Sequence, residues 1–198
     1  MNTIAQVKSV AAIIALTASM TATSILTVTP AAAQSTSDSQ SEASLSVVME
    51  FLANTTPDKV EAAAERLAAP DATYISLNFD NPELQQILPW TGTNYGPKAF
   101  SSLFLQLAEY WETEDFTVTD QIASGEDVAI FGTFTYRSLT LDHVFTSPFS
   151  IHAKVRDGKM TYFQFMEDTY ASASSFRQSG SWTVKTVEDK APFTVGAE

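Results

Sequence analysis

Hydrophobic residues recur at two spacings along this chain, helical in its first half and alternating in its second. Leu45, Val48, Met49 and Leu52 sit three and four residues apart and predict a helix over about 43–54. Thr56-Pro57-Asp58 reads as a helix start, with proline where its missing N–H costs nothing. A second helix then runs over about 57–68, with Val60, Ala63, Ala64 and Leu67 as its apolar stripe, and Pro70 stops it. Ala72 to Leu77 is β-prone and makes a first strand. Residues 78–94 form a long connection containing Pro82 and Pro89, with a short helix at 82–87. Gly96-Pro97 opens a third helix whose strongly apolar face is Phe100, Leu103, Phe104, Leu107 and Trp111. After Glu114 the period becomes two. Ser124-Gly125-Glu126-Asp127 is a turn, Val128–Arg137 a long strand, and Val144–Arg156 another. Asp157-Gly158 is a hairpin signal leading into a last strand, Lys159–Asp168. A short helix over 169–178 ends at Gly180, and 181–198 reads as a C-terminal tail. The order is α-α-β-α-β-β-β-β, an α+β fold with a curved sheet around the long helix.

The first 33 residues stand apart from this pattern. Lys8 precedes an apolar stretch from Val10 to Val28, Pro30 breaks it, and Ala31-Ala32-Ala33 supplies small residues for cleavage. Together these form a secretory signal peptide over 1–33. Gln34 to Glu42 is polar and low in complexity and reads as a flexible linker. Removing 1–33 takes away only Lys8 and moves the formal net charge from −12 to −13. Phosphate backbones and anionic lipid surfaces repel such a chain, so nucleic acid is excluded as a partner, as is a membrane after cleavage. The chain has no cysteine and two histidines, which removes cysteine-based zinc and leaves little for any other metal. It contains no HExxH, GxSxG, GxGxxG or P-loop, and no cofactor is implied.

Several local patterns resemble a known family. They are Asn94-Tyr95-Gly96-Pro97-Lys98-Ala99-Phe100 at the start of the long helix and Asp115-Phe116 leading to Ser124-Gly125-Glu126-Asp127-Val128-Ala129. Val155-Arg156-Asp157-Gly158-Lys159-Met160 followed by Glu167-Asp168-Thr169 completes the set. With the element order, they resemble the SnoaL-like and ketosteroid-isomerase-like branch of the nuclear transport factor 2-like (cystatin-like) superfamily over about 45–178. The resemblance implies a cone-shaped, curved antiparallel sheet wrapped around a long helix, with two short N-terminal helices. It also implies one deep, mostly apolar pocket and pairing as a homodimer through the outer sheet face. The superfamily hosts isomerases, dehydratases, epoxide hydrolases, polyketide cyclases and non-catalytic binders, so the fold alone does not fix the function.

Asp168 is the first candidate for chemistry. In SnoaL-like cyclases a carboxylate near the end of the last strand acts as acid or base, and burial raises a carboxyl pKa toward neutrality. The competing reading is that Asp168 caps the terminal helix, which holds it ionised. Across a two-residue Asp157-Gly158 turn, Arg156 faces Lys159. Counting back, Ala153 opposes Tyr162, Ile151 opposes Gln164, Phe149 opposes Met166 and Ser147 opposes Asp168. That register puts Asp168 on one face with Phe149, Ile151, Tyr162 and Met166. His152 then opposes Phe163 on the other face, so the His–Asp pair of the cyclases is not expected. Ser150, His152, Phe163 and Phe165 form an outer patch suited to a homodimer. The candidate pocket lining is Tyr74, Trp90, Tyr95, Phe104, Trp111, Phe149, Ile151 and Tyr162, with Gln164 and His143 as polar suppliers.

The sequence thus reads as a signal peptide (1–33), a linker (34–42), a SnoaL-like domain (43–180) and a tail (181–198), periplasmic or secreted. Its apolar pocket is expected to bind a small hydrophobic molecule, with weak proton transfer by Asp168. The alternatives are an isomerase, cyclase or dehydratase acting on a polyketide- or steroid-like substrate, and a dimeric interaction module. Protein made in a secreting host should lack about its first 33 residues by intact mass. Recovery of the full-length chain in the membrane fraction would contradict the signal-peptide reading.

Overall fold

A computed structural model describes residues 31–196. Its first element, α1 (Ala31–Leu52), begins well before the expected start and takes in the segment 34–42 expected as a linker. No proline or glycine interrupts 31–52, and the polar start of the helix is tied down where the Gly125 N–H donates to Ser41 Oγ at 2.8 Å. The signal peptide expected over 1–33 lies largely outside the described residues. After α1 come α2 (Val60–Leu67), β1 (Ala68–Ser76), α3 (Pro82–Gln85), β2 (Gly92–Tyr95) and α4 (Pro97–Tyr110). The long antiparallel run is β3 (Trp111–Ser124), β4 (Asp127–Ser138), β5 (Val144–Arg156) and β6 (Lys159–Glu167), and α5 (Thr169–Ser174) follows it. The segment expected as a tail folds back on itself as β7 (Trp182–Val184) and β8 (Phe193–Val195). The Trp182 ring meets Tyr170 edge-on at 5.7 Å.

Six strands form one sheet in the order β2-β1-β6-β5-β4-β3, mixed rather than wholly antiparallel because β1 runs parallel to β6. Strand β2 lay hidden in the long connection. It is four residues long, pairs Ile75 with Thr93 and Tyr74 with Asn94, and carries too few apolar residues to show a period. The concave face of the sheet receives Val48 and Phe51 of α1, the apolar stripe of α2, and Phe100 and Leu103 of α4. Each such buried Val, Leu or Phe side chain contributes roughly 1.5–3 kcal/mol of transfer free energy. Aromatic edges lock the layers together: Phe51 meets Phe100 at 5.5 Å, and Phe100 meets Tyr74 at 4.9 Å.

Curvature has local causes. At Gly132 a Cβ would land on the Thr117 carbonyl oxygen and lie 2.6 Å from the Phe149 ring. Only glycine lets β3 and β4 approach this closely, and beside it β3 carries an extra residue between Val118 and Asp120.

One irregularity changes which residues face inward. The Asp157-Gly158 turn is as expected, with φ of 51° and 74°, and Arg156 pairs with Lys159 and Val155 with Met160. The next pair is Lys154 with Tyr162, so Thr161 is an extra residue, its hydroxyl donating to the Lys154 carbonyl at 3.3 Å. Beyond this bulge the expected register is off by one. Phe149 pairs with Glu167 rather than Met166, Ile151 with Phe165, and His152 with Gln164. Phe163 is therefore fully buried and Phe165 packs against the core, not on the outer patch expected of them. Ser150 and His152 do lie on the outer face.

Candidate active site

The open end of the curved sheet encloses a cavity of about 360 Å³. Its helical wall is Leu103, Phe104, Leu107 and Ala108 of α4, and its rim is Leu52 with the Thr55-Thr56-Pro57 turn after α1. The sheet supplies Tyr74 and Ser76 from β1, Trp111, Thr113 and Phe116 from β3, Tyr136 from β4, and Phe165 and Glu167 from β6. Trp90 and Leu77 close the sides. The lining is mostly apolar, with a few hydroxyls and one carboxylate, the composition of a small-molecule site.

Glu167 is the one ionisable group with a perturbed carboxyl in this cavity. The residue keeps some contact with solvent, but its Oε1 is fully shielded and has no hydrogen-bond partner. Burial pushes its pKa up to about 7, the neighbouring charge of Asp168 adds to the rise, and the Ser172 hydroxyl opposes it. Two phenols face the same space. Burial, together with Tyr136 and Glu167 nearby, raises Tyr74 far above its ordinary value. Burial likewise pushes Tyr136 up to about 12, a hydrogen bond with Thr113 pulling it down and the Glu167 charge raising it. Both tyrosines are thus neutral hydrogen-bond donors at physiological pH, beside a carboxyl poised to gain or lose a proton there.

The wall behind Glu167 is fixed by α5. Trp111 Nε1 donates to Ser175 Oγ at 3.0 Å, and Ser175 Oγ donates to the Ser172 carbonyl at 2.7 Å. Asp168, expected as the acid–base residue, caps this helix. Its Oδ1 accepts the Tyr170 and Ala171 N–H groups, both at 3.1 Å, and its own N–H donates to Ser147 Oγ at 2.8 Å. The one-residue bulge turns Asp168 away from the cavity and Glu167 into it.

The other candidates fall in several places. Tyr74, Trp90, Phe104 and Trp111 line the cavity. Phe149 and Ile151 are buried in the core behind it, Phe149 stacked on Phe116 at 4.6 Å and on Phe165 at 5.5 Å. Tyr162 and Gln164, expected inside, lie on the outer face because of the bulge, and there the Tyr162 hydroxyl donates to Gln164 Oε1 at 2.8 Å. His143 is exposed in the β4–β5 connection rather than at the pocket rim, its N–H donating to Ser138 Oγ at 3.2 Å. Tyr95 is 70% exposed and belongs to a second cleft beyond Trp90. His152 pairs with Asp127 Oδ1 at 3.0 Å on the outer face, and Lys154 joins the same oxygen. Among the described residues no group of three or more histidine, aspartate and glutamate side chains could hold a metal ion. Sequence reasoning missed Glu167, Tyr136, Thr113 and Ser76. Tyr136 was legible in principle, as it shares strand parity with Val128, Ile130 and Phe134.

No family model matches the chain. Patulin synthesis protein F of Aspergillus clavatus is 42% identical over 131 residues, 65% of this chain and 66% of that protein. Patulin biosynthesis cluster protein F of Penicillium expansum is 39% identical over 134 residues, 66% of this chain and 67% of that protein. The chain thus matches about two thirds of the length of each of these curated relatives. Among solved structures, a nuclear transport factor 2-like protein of Burkholderia xenovorans LB400 superposes with a TM-score of 0.59 at 22% identity, covering 69% of this chain and 98% of that one. A protein of the SnoaL-like polyketide cyclase type from Jannaschia sp. CCS1 does so with a TM-score of 0.55 at 10% identity, covering 71% and 95%. The chain belongs to the family of these F proteins, and it shares its fold with the nuclear transport factor 2-like and SnoaL-like structures.

The raised Glu167 carboxyl carries a stability cost of known sign. Its pKa rises from 4.5 to about 7 on folding, so the folded state binds the proton more tightly. Below the unfolded value both states are protonated and nothing is lost. As pH climbs through the folded value, stability falls by up to roughly 3 kcal/mol. Glu167→Gln, which imitates the protonated form, should therefore raise stability in urea unfolding at pH 8 and change it little at pH 4. Equal effects at both pH values would mean that the carboxyl is not held out of water.

Proposed function

We propose that the protein is an acid–base enzyme that isomerises, cyclises or dehydrates a small, largely apolar, oxygen-bearing molecule, with Glu167 as the residue that moves the proton. The observation that carries this reading is the shielded, unpartnered Glu167 Oε1 in a cavity of about 360 Å³ that also holds two neutral phenols. A base with a pKa near the working pH combines sufficient ionisation with a strong drive to take a proton. In the reaction, the Glu167 carboxylate removes a proton from the carbon next to a carbonyl. The electron pair moves onto the carbonyl oxygen, where Tyr136 and Tyr74 donate hydrogen bonds to the developing charge. The enolate then takes the proton back at another carbon, which is isomerisation. Alternatively it expels a β-oxygen that leaves with the Glu167 proton as water, which is dehydration. The relatives' names refer to patulin synthesis, which fits a step in a biosynthetic route.

Export and pairing belong to the same proposal. The corrected register changes the apolar contacts of a homodimer through the outer sheet face from Phe163 and Phe165 to Phe131 and Met166, which are 41% and 37% exposed.

Deuterium uptake from D₂O into a panel of cyclic enones and β-hydroxyketones, followed by NMR, tests the chemistry without knowledge of the natural substrate. Exchange should speed up as pH rises through about 7 and then level off. Glu167→Gln should cut it by roughly 10²–10⁴-fold, and Tyr136→Phe by roughly 10²-fold. Asp168→Asn, which still caps α5, should keep most of the rate. Saturable binding of these probes without exchange would leave a ligand carrier in place of an enzyme.

A further inference from the structure

Beyond the cavity wall lies a second cleft of about 320 Å³. Tyr74, Trp90 and Leu103 line both spaces, so these three side chains form the partition between them. The cleft differs chemically from the inner cavity. One face of α4 turns Lys98, Ser102 and Gln106 toward it, and β2 adds Asn94 and Tyr95. Trp90, Pro89 and Ala99 give it an apolar side. The chain carries 23 aspartates and glutamates against 11 lysines and arginines, yet no carboxylate lines this cleft.

The state of Lys98 points the same way. Most other described cations are engaged. Arg66, Arg137, Lys154 and Arg156 are in ion pairs, and Lys159 Nζ donates to the carbonyls of Glu65, Arg66 and Ala68 at the end of α2. Lys98 has no ion-pair or hydrogen-bond partner for its ammonium group among the described residues. An unpaired ammonium among hydrogen-bonding side chains, with an aromatic wall and no carboxylate, favours an anion attached to a ring.

We infer that this cleft is a binding subsite for a small aromatic or cyclic carboxylic acid. The ring lies against Trp90 and Tyr95, and the carboxylate pairs with Lys98 with support from Asn94, Ser102 and Gln106. The assignment does not depend on the acid–base role of Glu167. Because Trp90 and Tyr74 are shared, occupancy of the cleft bears directly on the wall of the reaction cavity.

Heteronuclear NMR titrations with benzoate and with benzamide, its uncharged counterpart of the same shape, test the inference. Wild-type protein should bind benzoate saturably and at least about tenfold more tightly than benzamide, with shifts centred on Asn94, Tyr95 and Gln106. Lys98→Gln should remove that preference, Lys98→Arg should keep it, and Glu167→Gln should leave it unchanged. The inference fails if benzoate does not saturate, if the two probes bind equally, or if the preference survives Lys98→Gln. It also fails if Glu167→Gln strengthens benzoate binding, because the acid would then occupy the inner cavity. None of these outcomes bears on whether Glu167 moves protons.

Discussion

Between Met160 and Tyr162, strand β6 carries one residue more than β5 offers a partner for, and the facing of every later side chain is inverted. Thr161 absorbs the surplus, with its hydroxyl on the Lys154 carbonyl. Phe163 and Phe165 turn into the core, Tyr162 and Gln164 turn out, and Glu167 instead of Asp168 meets the cavity. The neighbouring acids then part in role. Asp168 accepts the two N–H groups of a helix start, whereas Glu167 Oε1 is shielded and has no hydrogen-bond partner among the described residues. A carboxyl so placed keeps its proton to near neutral pH because burial costs its charged form more than the Ser172 hydroxyl restores. The proposed chemistry rests on that single parity step.

Most of the scaffold was legible from spacing alone. The apolar stripe of α4 from Phe100 to Leu107, the two long strands and the Asp157-Gly158 turn follow from local periodicity and turn chemistry, whereas Trp111, expected on that stripe, opens β3. What was not legible depends on distant partners. A bulge at Thr161 is set by how β5 and β1 together meet β6, and no residue near 161 marks it as glycine marks the bend at Gly132. Strand β2 is four residues long and owes its conformation to pairing with β1. The polar start of α1 gains helical structure through a contact with the β3–β4 turn that composition does not foretell. The candidate site was therefore half visible. Tyr74, Trp90, Phe104 and Trp111 were expected around the cavity and do line it, and the carboxyl that faces them is Glu167, the neighbour of the expected Asp168.

Function and stability pull against each other in this arrangement. A buried acid in an apolar cavity weakens the fold at the pH where the proposed chemistry would need it as a base, and the aromatic layers around it offset that cost. Phe149 stacks between Phe116 and Phe165, and Trp111 stacks on Phe176 at 5.2 Å while its indole N–H is held by Ser175. Rigid walls of this kind hold two phenols and one carboxyl around the same small volume, which is what proton transfer to and from a bound molecule requires. The outer cleft, on the far side of Trp90, adds a cation where the inner cavity has an acid.

The proposed chemistry depends on the protonation of one side chain, and carbon-detected NMR titration of the Glu167 carboxyl measures it directly. The structure predicts a midpoint near 7, well above that of an ordinary glutamate. A midpoint at or below the ordinary value of 4.5 would show a solvated or hydrogen-bonded carboxylate and contradict the central claim.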